Sequence, residues 1–129
     1  MRFTEPLRQA TSRYIHVHCS TMQCTTSAFI TQAMDRVWGN GDHVQCIHPR
    51  LECIAGRTQV MESWRLILGA AQMTITLEDV RVHTVEDMAF VTCIEVVDAG
   101  DSRGRVAATN VFEKQDGQWK LVHHHGGPA

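Results

Sequence analysis

The chain has 129 residues, which is enough for one domain with a single hydrophobic core. Its hydrophobic fraction of 43% and charged fraction of 20% are those of a globular protein, and a net charge of −2 gives no electrostatic attraction for nucleic acid or an anionic membrane. No apolar run approaches the roughly 20 residues that a membrane-spanning helix requires.

The five cysteines are odd in number and scattered along the chain. This distribution argues against a disulfide framework and favours a reducing compartment. We therefore expect a cytoplasmic protein.

Residues 1–27 differ in composition from the rest of the chain. They are rich in Thr, Ser and Arg, contain a single acidic residue, Glu5, and lack clear periodicity. We expect a poorly ordered or leader-like segment here, followed by one domain over residues 28–129. Organelle targeting is an alternative for this segment, but Pro6 and the weak amphipathic pattern count against it.

The first periodic segment covers residues 28–38, where apolar side chains recur at helical spacing and predict a helix with one buried face. The run Gly39-Asn40-Gly41-Asp42 ends it. Short extended segments follow at residues 43–48 and 51–54.

A second helix is predicted over residues 58–68. Val60, Trp64 and Leu68 recur at i, i+4 and i+8, which places them on one face. Thr58 is the expected N-cap, and Gly69 is expected just beyond the C-terminal end.

From Met73 onward the hydrophobic period changes from 3.6 to two, which predicts strands. Turn compositions separate them, and Asp116-Gly117 is a strong hairpin signal. The four predicted strands cover residues 73–83, 89–97, 104–113 and 118–125.

Helices followed by strands joined through short turns predict an α+β fold with an antiparallel meander. Several strands are apolar on both faces; between Phe90 and Val97 only Thr92 and Glu95 are clearly polar. A second molecule is therefore expected to cover the face of the sheet that the helices leave open.

A set of motifs in this order resembles the nuclear-transport-factor-2-like (NTF2-like, or SnoaL-like) superfamily, and within it the branch of calcium/calmodulin-dependent kinase II association domains. The resemblance covers about residues 29–128. The motifs are Cys46-Ile47-His48-Pro49, Gly56-Arg57 leading to Ser63-Trp64, Asp98-Ala99-Gly100, Thr109-Asn110-Val111-Phe112 and the C-terminal stretch from Asp116 to His125.

The resemblance implies a cone-shaped α+β barrel, in which a strongly bent antiparallel sheet wraps around N-terminal helices. It also implies a ligand pocket inside the cone and a homodimer formed through the convex sheet face. Kinase association domains line this pocket with arginines, and the matching positions here hold Thr92, Asn110 and Gly126. A pocket that binds carboxylates through arginines is therefore not expected.

The histidine run at the end of the chain is the most conspicuous polar feature. Regular alternation places His123 and His125 on the face of Trp119 and Leu121, with His124 on the other face. Two histidines at i and i+2 can bind one metal ion, but no companion residues have metal-ligand spacing, so we expect no metal. A structural hydrogen bond and a role in the pocket are the remaining interpretations.

Three more residues are candidates for the pocket. His48 can act as a hydrogen-bond donor or general base, or can simply bond to a turn. Trp64 needs an acceptor for its indole N–H, and Asn110 needs a partner within an apolar strand. With Thr92, His123 and His125, these residues form the predicted ligand pocket.

Acid–base chemistry in such a cone normally uses an inward carboxylate, and none is expected here, because the acidic residues lie mostly in turns or on outward positions. Our hypothesis is a homodimeric domain that binds a small apolar or weakly polar molecule, with no cofactor. One alternative is an isomerase- or dehydratase-like enzyme using His48 or His123 as the base. Another is an oligomerisation module. The sequence leaves open whether the protein is catalytic.

Overall fold

A computed structural model describes residues 34–70 and 74–129 of the chain. Residues 1–27 and the first part of the predicted helix over residues 28–38 lie outside the described residues. Residues 34–37 are helical, and the elements that follow are β1 (Gln45–Ile47), β2 (Ile54–Ala55), α1 (Arg57–Ala70), β3 (Thr74–Val85), β4 (Met88–Asp98), β5 (Arg103–Gln115) and β6 (Gln118–Pro128).

The strands form one six-stranded sheet in the order β2-β1-β6-β5-β4-β3. The long strands β3 to β6 make the predicted antiparallel meander. Strand β1 runs antiparallel to β2 but parallel to β6, so the sheet is mixed, a detail that the hydrophobic pattern did not predict. The sheet is curved without closing, and the α+β class is confirmed.

The hairpin between β5 and β6 has the backbone geometry that its residues favour. Between β5 and β6, Asp116 and Gly117 have φ angles of 51° and 75°. Positive φ at both central residues is the signature of the two-residue turn that matches the twist of adjacent strands. The Asp-Gly hairpin prediction is therefore confirmed.

Helix α1 begins one residue earlier and ends later than predicted. Gly56 has a φ of 88°, and its carbonyl accepts a hydrogen bond from the Val60 N–H at 3.0 Å. Gly56 is thus the N-cap, and the prediction of Thr58 in that role is wrong. The positive φ explains why a glycine precedes the helix. At the other end, α1 continues through Gly69 to Ala70.

The two faces of the sheet differ in burial. We call the buried face, which packs against the helices, the inner face, and the opposite one the outer face. The inner face comprises Ala89, Val91, Cys93 and Glu95 on β4, Ala108, Asn110 and Phe112 on β5, and Trp119, Leu121, His124 and Gly126 on β6. The outer face includes Phe90, Thr92 and Ile94 on β4, Thr109 and Val111 on β5, and His123 and His125 on β6.

The core lies between the inner face and the helices. Trp38, Phe112 and Leu121 are each 1% exposed or less. The helical residues end against the sheet, where Trp38 forms a bridge with Leu121 and the Gly39 N–H donates to the Leu121 carbonyl at 2.8 Å. The buried cluster also contains Met34, Val37, Val44, Cys46, Val60, Trp64, Ala89, Val91, Trp119 and Val122.

Arg57 ties the first helical segment to α1. Its guanidinium donates to the carbonyls of Trp38, Gly39 and Asp35 at 2.7, 2.9 and 3.0 Å, and to the Asp35 carboxylate at 3.0 Å. A planar guanidinium can serve several acceptors at once. This one residue therefore fixes the chain reversal after the helix.

Among the helices within residues 34–70 and 74–129, none combines the length and the apolar character that a membrane crossing requires. The three cysteines in these ranges are free thiols: Cys46 and Cys93 are buried, and Cys53 is exposed.

Candidate functional site

The inner face carries a hydrogen-bonded pair of buried polar side chains, His124 and Asn110. The two residues are directly opposite each other on β6 and β5, each is 2% exposed, and His124 Nδ1 lies 2.6 Å from Asn110 Oδ1. Because an amide oxygen only accepts, the ring must donate from Nδ1. In the neutral ring the lone pair is then on Nε2, which points away from Asn110.

A β-bulge decides which histidines reach this face. The ladder pairs Val111 with His123 and Phe112 with Leu121, so Val122 is an extra residue on β6. Leu121 and Val122 are both buried, and the alternation resumes one residue out of phase.

The prediction that His123 and His125 share the face of Leu121 is therefore wrong. Both lie on the outer face, with ring centroids 6.5 Å apart, while His124 points inward. Partial burial, together with the charge of His125, lowers the pKa of His123. The adjacent apolar pair Leu121-Val122 was the signal in the sequence that could have indicated a change of phase.

Thr92 is also placed on the outer face. It pairs with Thr109, and its neighbours Val91 and Cys93 are the residues of β4 that point inward. The structure thus brings His48, Trp64 and Asn110 together and separates them from Thr92, His123 and His125.

His48 is buried against helix α1. Its Nε2 lies 2.9 Å from the Ser63 hydroxyl, and that hydroxyl donates to the Val60 carbonyl at 2.7 Å. Since the hydroxyl proton is used on Val60, His48 donates from Nε2 and keeps its lone pair on Nδ1. Burial lowers the pKa of His48, which favours the neutral ring.

Trp64 lies between His48 and His124. Its ring centroid is 4.8 Å from that of His48, in an edge-on arrangement, and 5.5 Å from that of His124. The Cys46 thiol lies beside these rings, 3.6 Å from His48 Nε2. Burial raises the pKa of Cys46 to about 12, so this thiol is not a nucleophile near neutral pH.

Glu95 is the polar residue of the inner face that the sequence analysis missed. It is 5% exposed and lies on the same face of β4 as Val91 and Cys93. The expectation of no inward carboxylate is therefore wrong. Simple alternation from the apolar residues Val91 and Cys93 would have placed Glu95 inward.

A row of small side chains separates Glu95 from the Asn110–His124 pair. Cys93, Ala108 and Gly126 are paired across β4, β5 and β6 and all belong to the inner face. A Cβ atom at Gly126 would lie 2.9 Å from a methyl group of Val106 and 3.5 Å from His124 Nε2. The inner face is therefore closely packed at Gly126, and β6 has room for no side chain at this position.

The curved sheet, the helices on its inner face and the buried polar groups between them define an NTF2-like α+β domain. A sequence profile described as the SnoaL-like domain matches residues 20–129. The chain belongs to the SnoaL-like family.

Solved structures share the fold over most of the chain. One is a candidate dehydratase of the NTF2-like family from Streptomyces avermitilis, with a TM-score of 0.83, 26% identity, and coverage of 97% of this chain and 94% of the other. Another is a candidate calcium/calmodulin-dependent protein kinase type II association domain from Thiobacillus denitrificans, with a TM-score of 0.71, 32% identity, and coverage of 77% and 82%. The resemblance to association domains is thereby confirmed.

Among curated proteins, the F-box protein SKIP8 of Arabidopsis thaliana is 39% identical over 95 residues, which are 73% of this chain. The match covers 40% of the length of SKIP8. The similarity therefore concerns one part of a longer protein.

Proposed function

We propose that this domain binds a small, mostly apolar molecule with one hydrogen-bonding group on the inner face, between Glu95 and the Asn110–His124 pair. The observation that carries the proposal is the placement of these three buried polar side chains on either side of the row of small residues. If these positions served packing alone, apolar side chains would stabilise the fold more. Each buried polar group must replace the hydrogen bonds that it made to water in the unfolded chain.

Trp38 carries another buried polar group of the core. Its indole ring lies 6.5 Å from that of Trp64, and within the described ranges its buried N–H has no hydrogen-bond partner. A buried donor without an acceptor costs about 1–3 kcal/mol.

The test replaces each of two adjacent alanines by leucine, and one of the two leucines would occupy the proposed ligand site. Ala108 is on the inner face, whereas Ala107 is on the outer face and exposed. Thermal unfolding of wild type, Ala108→Leu and Ala107→Leu is followed with a panel of small aromatic and alicyclic ketones, alcohols and acids. We expect some compounds to raise the Tm of wild type and Ala107→Leu, and none to raise that of Ala108→Leu.

The same variants test whether space exists at Ala108. If the site is open, Ala108→Leu unfolds with a free energy within about 1 kcal/mol of wild type; overpacking of a filled core typically costs about 1–3 kcal/mol. A large loss of stability in Ala108→Leu, combined with no ligand effect on wild type, would reject the proposal.

A dehydratase- or isomerase-like activity is the second candidate, and the buried Glu95 favours it. A carboxylate and a neutral imidazole on one buried face can remove and return a proton. The similarity to the Streptomyces avermitilis protein is in line with this chemistry. The test incubates small cyclic ketones with the protein in D2O. Catalysed exchange at the carbon next to the carbonyl should be lost in Glu95→Gln and kept in Glu78→Gln, which changes an exposed carboxylate.

We also propose that two copies associate through the outer face. Phe90, Met88 and Val85 are 44%, 44% and 57% exposed, and with His83 and Val111 they line a mostly apolar depression of about 330 Å³. A cluster of exposed apolar side chains is typical of a surface that contacts another protein molecule. Light scattering at micromolar concentration should give the mass of a dimer for wild type and of a monomer for Phe90→Lys. A mass larger than that of a dimer would favour the oligomerisation module instead. A monomeric wild type would exclude both the dimer and the oligomerisation module.

A further inference from the structure

We infer that acidification separates two associated copies of this chain, because the outer face carries three histidines that association would bury. The inference rests on the dimer proposed above and concerns its regulation. The histidines are His83 on β3 and His123 and His125 on β6.

A row of directly paired residues crosses the outer face from β3 to β6. His83 is paired with Phe90, and their ring centroids are 5.3 Å apart. Val111 on β5 is paired with Phe90 on one side and with His123 on the other. His125 follows His123 on the same face of β6, with ring centroids 6.5 Å apart. The apolar centre of the proposed interface is therefore bordered by histidine on both sides.

This arrangement suits a second copy of the same surface only while the histidines are neutral. In a two-fold dimer the same residues lie on both sides of the interface, so every charge on one side meets like charges on the other. Neutral imidazoles and apolar side chains can pack together under this condition. Protonation places three positive charges on each copy and adds the cost of removing each of them from water.

The residues that flank the three histidines across the strands supply no negative charge. The partners of His123 and His125 on β1 are Gln45 and Ile47, and His125 is paired with Thr109 on β5. None of these side chains carries a charge, so none would stabilise a protonated imidazole within the interface.

The charged groups elsewhere on this side of the sheet already have partners. On β3, Arg81 lies 3.0 Å from the carboxylate of Asp79. On β5, the carboxylate of Glu113 lies 2.7 Å from His43 Nε2 and accepts from Gln115 Nε2 at 2.7 Å.

Two further groups complete this set. Lys120 on β6 donates to the Arg36 carbonyl at 2.7 Å, and Arg105 on β5 lies 3.0 Å from the carboxylate of Glu78 on β3. The three histidines are therefore the groups of the row and its border whose charge changes between neutral and mildly acidic pH.

The direction of the effect follows from proton linkage. Partial burial, together with the charge of His125, already lowers the pKa of His123 in the single chain. Burial between two copies acts in the same direction, so the dimer binds fewer protons than two separate chains. Association is then favoured above the pH range in which imidazole titrates, at about 6.5, and weakens as the pH falls through that range.

The experiment measures the dimer dissociation constant of the full chain by sedimentation equilibrium at about pH 7.5 and about pH 5.5. Wild type is compared with the triple variant His83→Gln, His123→Gln, His125→Gln and with the three single variants, because glutamine stays polar but does not titrate. His43→Gln is the matched control, since it removes a 55% exposed histidine that contacts Glu113 outside the row. Circular dichroism at both pH values reports that each variant is folded.

We expect the dissociation constant of wild type and of His43→Gln to rise at least about tenfold at the lower pH, and that of the triple variant to change less than about threefold. Each single variant should show a smaller rise than wild type, and these variants decide the question if the triple variant does not fold. An equal rise in wild type and the histidine variants, or a wild-type dimer whose dissociation constant does not change, would overturn the inference and leave the dimer standing. A wild type that is monomeric at the higher pH would overturn the dimer and this inference with it.

Discussion

His124 Nδ1 donates to Asn110 Oδ1 across 2.6 Å in the buried space between the sheet and the helices. The bond joins adjacent strands and sets which ring nitrogen of His124 carries the proton. Because both partners are buried, the effect of removing this bond on the free energy of unfolding can be estimated.

Replacing Asn110 by Leu should lower the free energy of unfolding by about 1–3 kcal/mol, because the buried N–H of His124 loses its acceptor. The measurement is urea denaturation at neutral pH. Thr92→Val, on the outer face of the neighbouring strand, is the control and should stay within about 0.5 kcal/mol. Similar losses in both variants would mean that the hydrogen bond contributes nothing.

Two phenylalanines on neighbouring strands should differ in their contribution to stability. Phe112 is 1% exposed and belongs to the core, whereas Phe90 is 44% exposed on the outer face. Truncation to alanine should cost about 3–5 kcal/mol at Phe112, since it leaves a cavity. At Phe90, truncation should cost less than about 1 kcal/mol when the protein is dilute enough to be monomeric. Denaturant titrations of both variants check this, and a larger loss at Phe90 would contradict the assignment of the two faces.

Arg57→Lys should destabilise the fold by about 1–3 kcal/mol, because a single ammonium group cannot replace the guanidinium that serves three carbonyls and a carboxylate. Arg65→Lys is the matched control. Arg65 forms an ion pair with Glu62 on the exposed face of α1, and such pairs contribute about 0–1 kcal/mol. Comparable unfolding free energies for the two variants would show that Arg57 does not hold the chain reversal.

Stability should fall as the pH is lowered below 6.5, in part because of His48. Burial lowers the pKa of His48 in the folded protein below its ordinary value of 6.5. In the window between the folded and unfolded values the unfolded chain therefore binds more protons, and the free energy of unfolding rises with pH. His48→Gln should reduce this slope in urea titrations between pH 5 and pH 8. An unchanged slope would exclude a contribution from His48.

The change in hydrophobic period near Met73 was sufficient to predict the α+β class, the antiparallel meander and the Asp116-Gly117 hairpin. These features depend on local preferences and on which residues avoid water, and both can be read from the sequence. The family resemblance, together with their predicted inward positions, grouped Trp64 and Asn110 with His48.

The face of each histidine was decided only by the tertiary structure. One extra residue, Val122, inverts the alternation on β6, because strand side chains repeat every two residues and a single insertion exchanges the faces. It places His124 beside Asn110 and leaves His123 and His125 on the outer face.

The sequence thus determined which elements form and which polar residues must find partners. Pairing between distant strands determined which partners they find, since ladder register depends on the whole sheet. Glu95 illustrates the difference. The sequence shows a glutamate within an apolar strand, but only the register of β4, β5 and β6 shows that it lies beyond the row of small side chains.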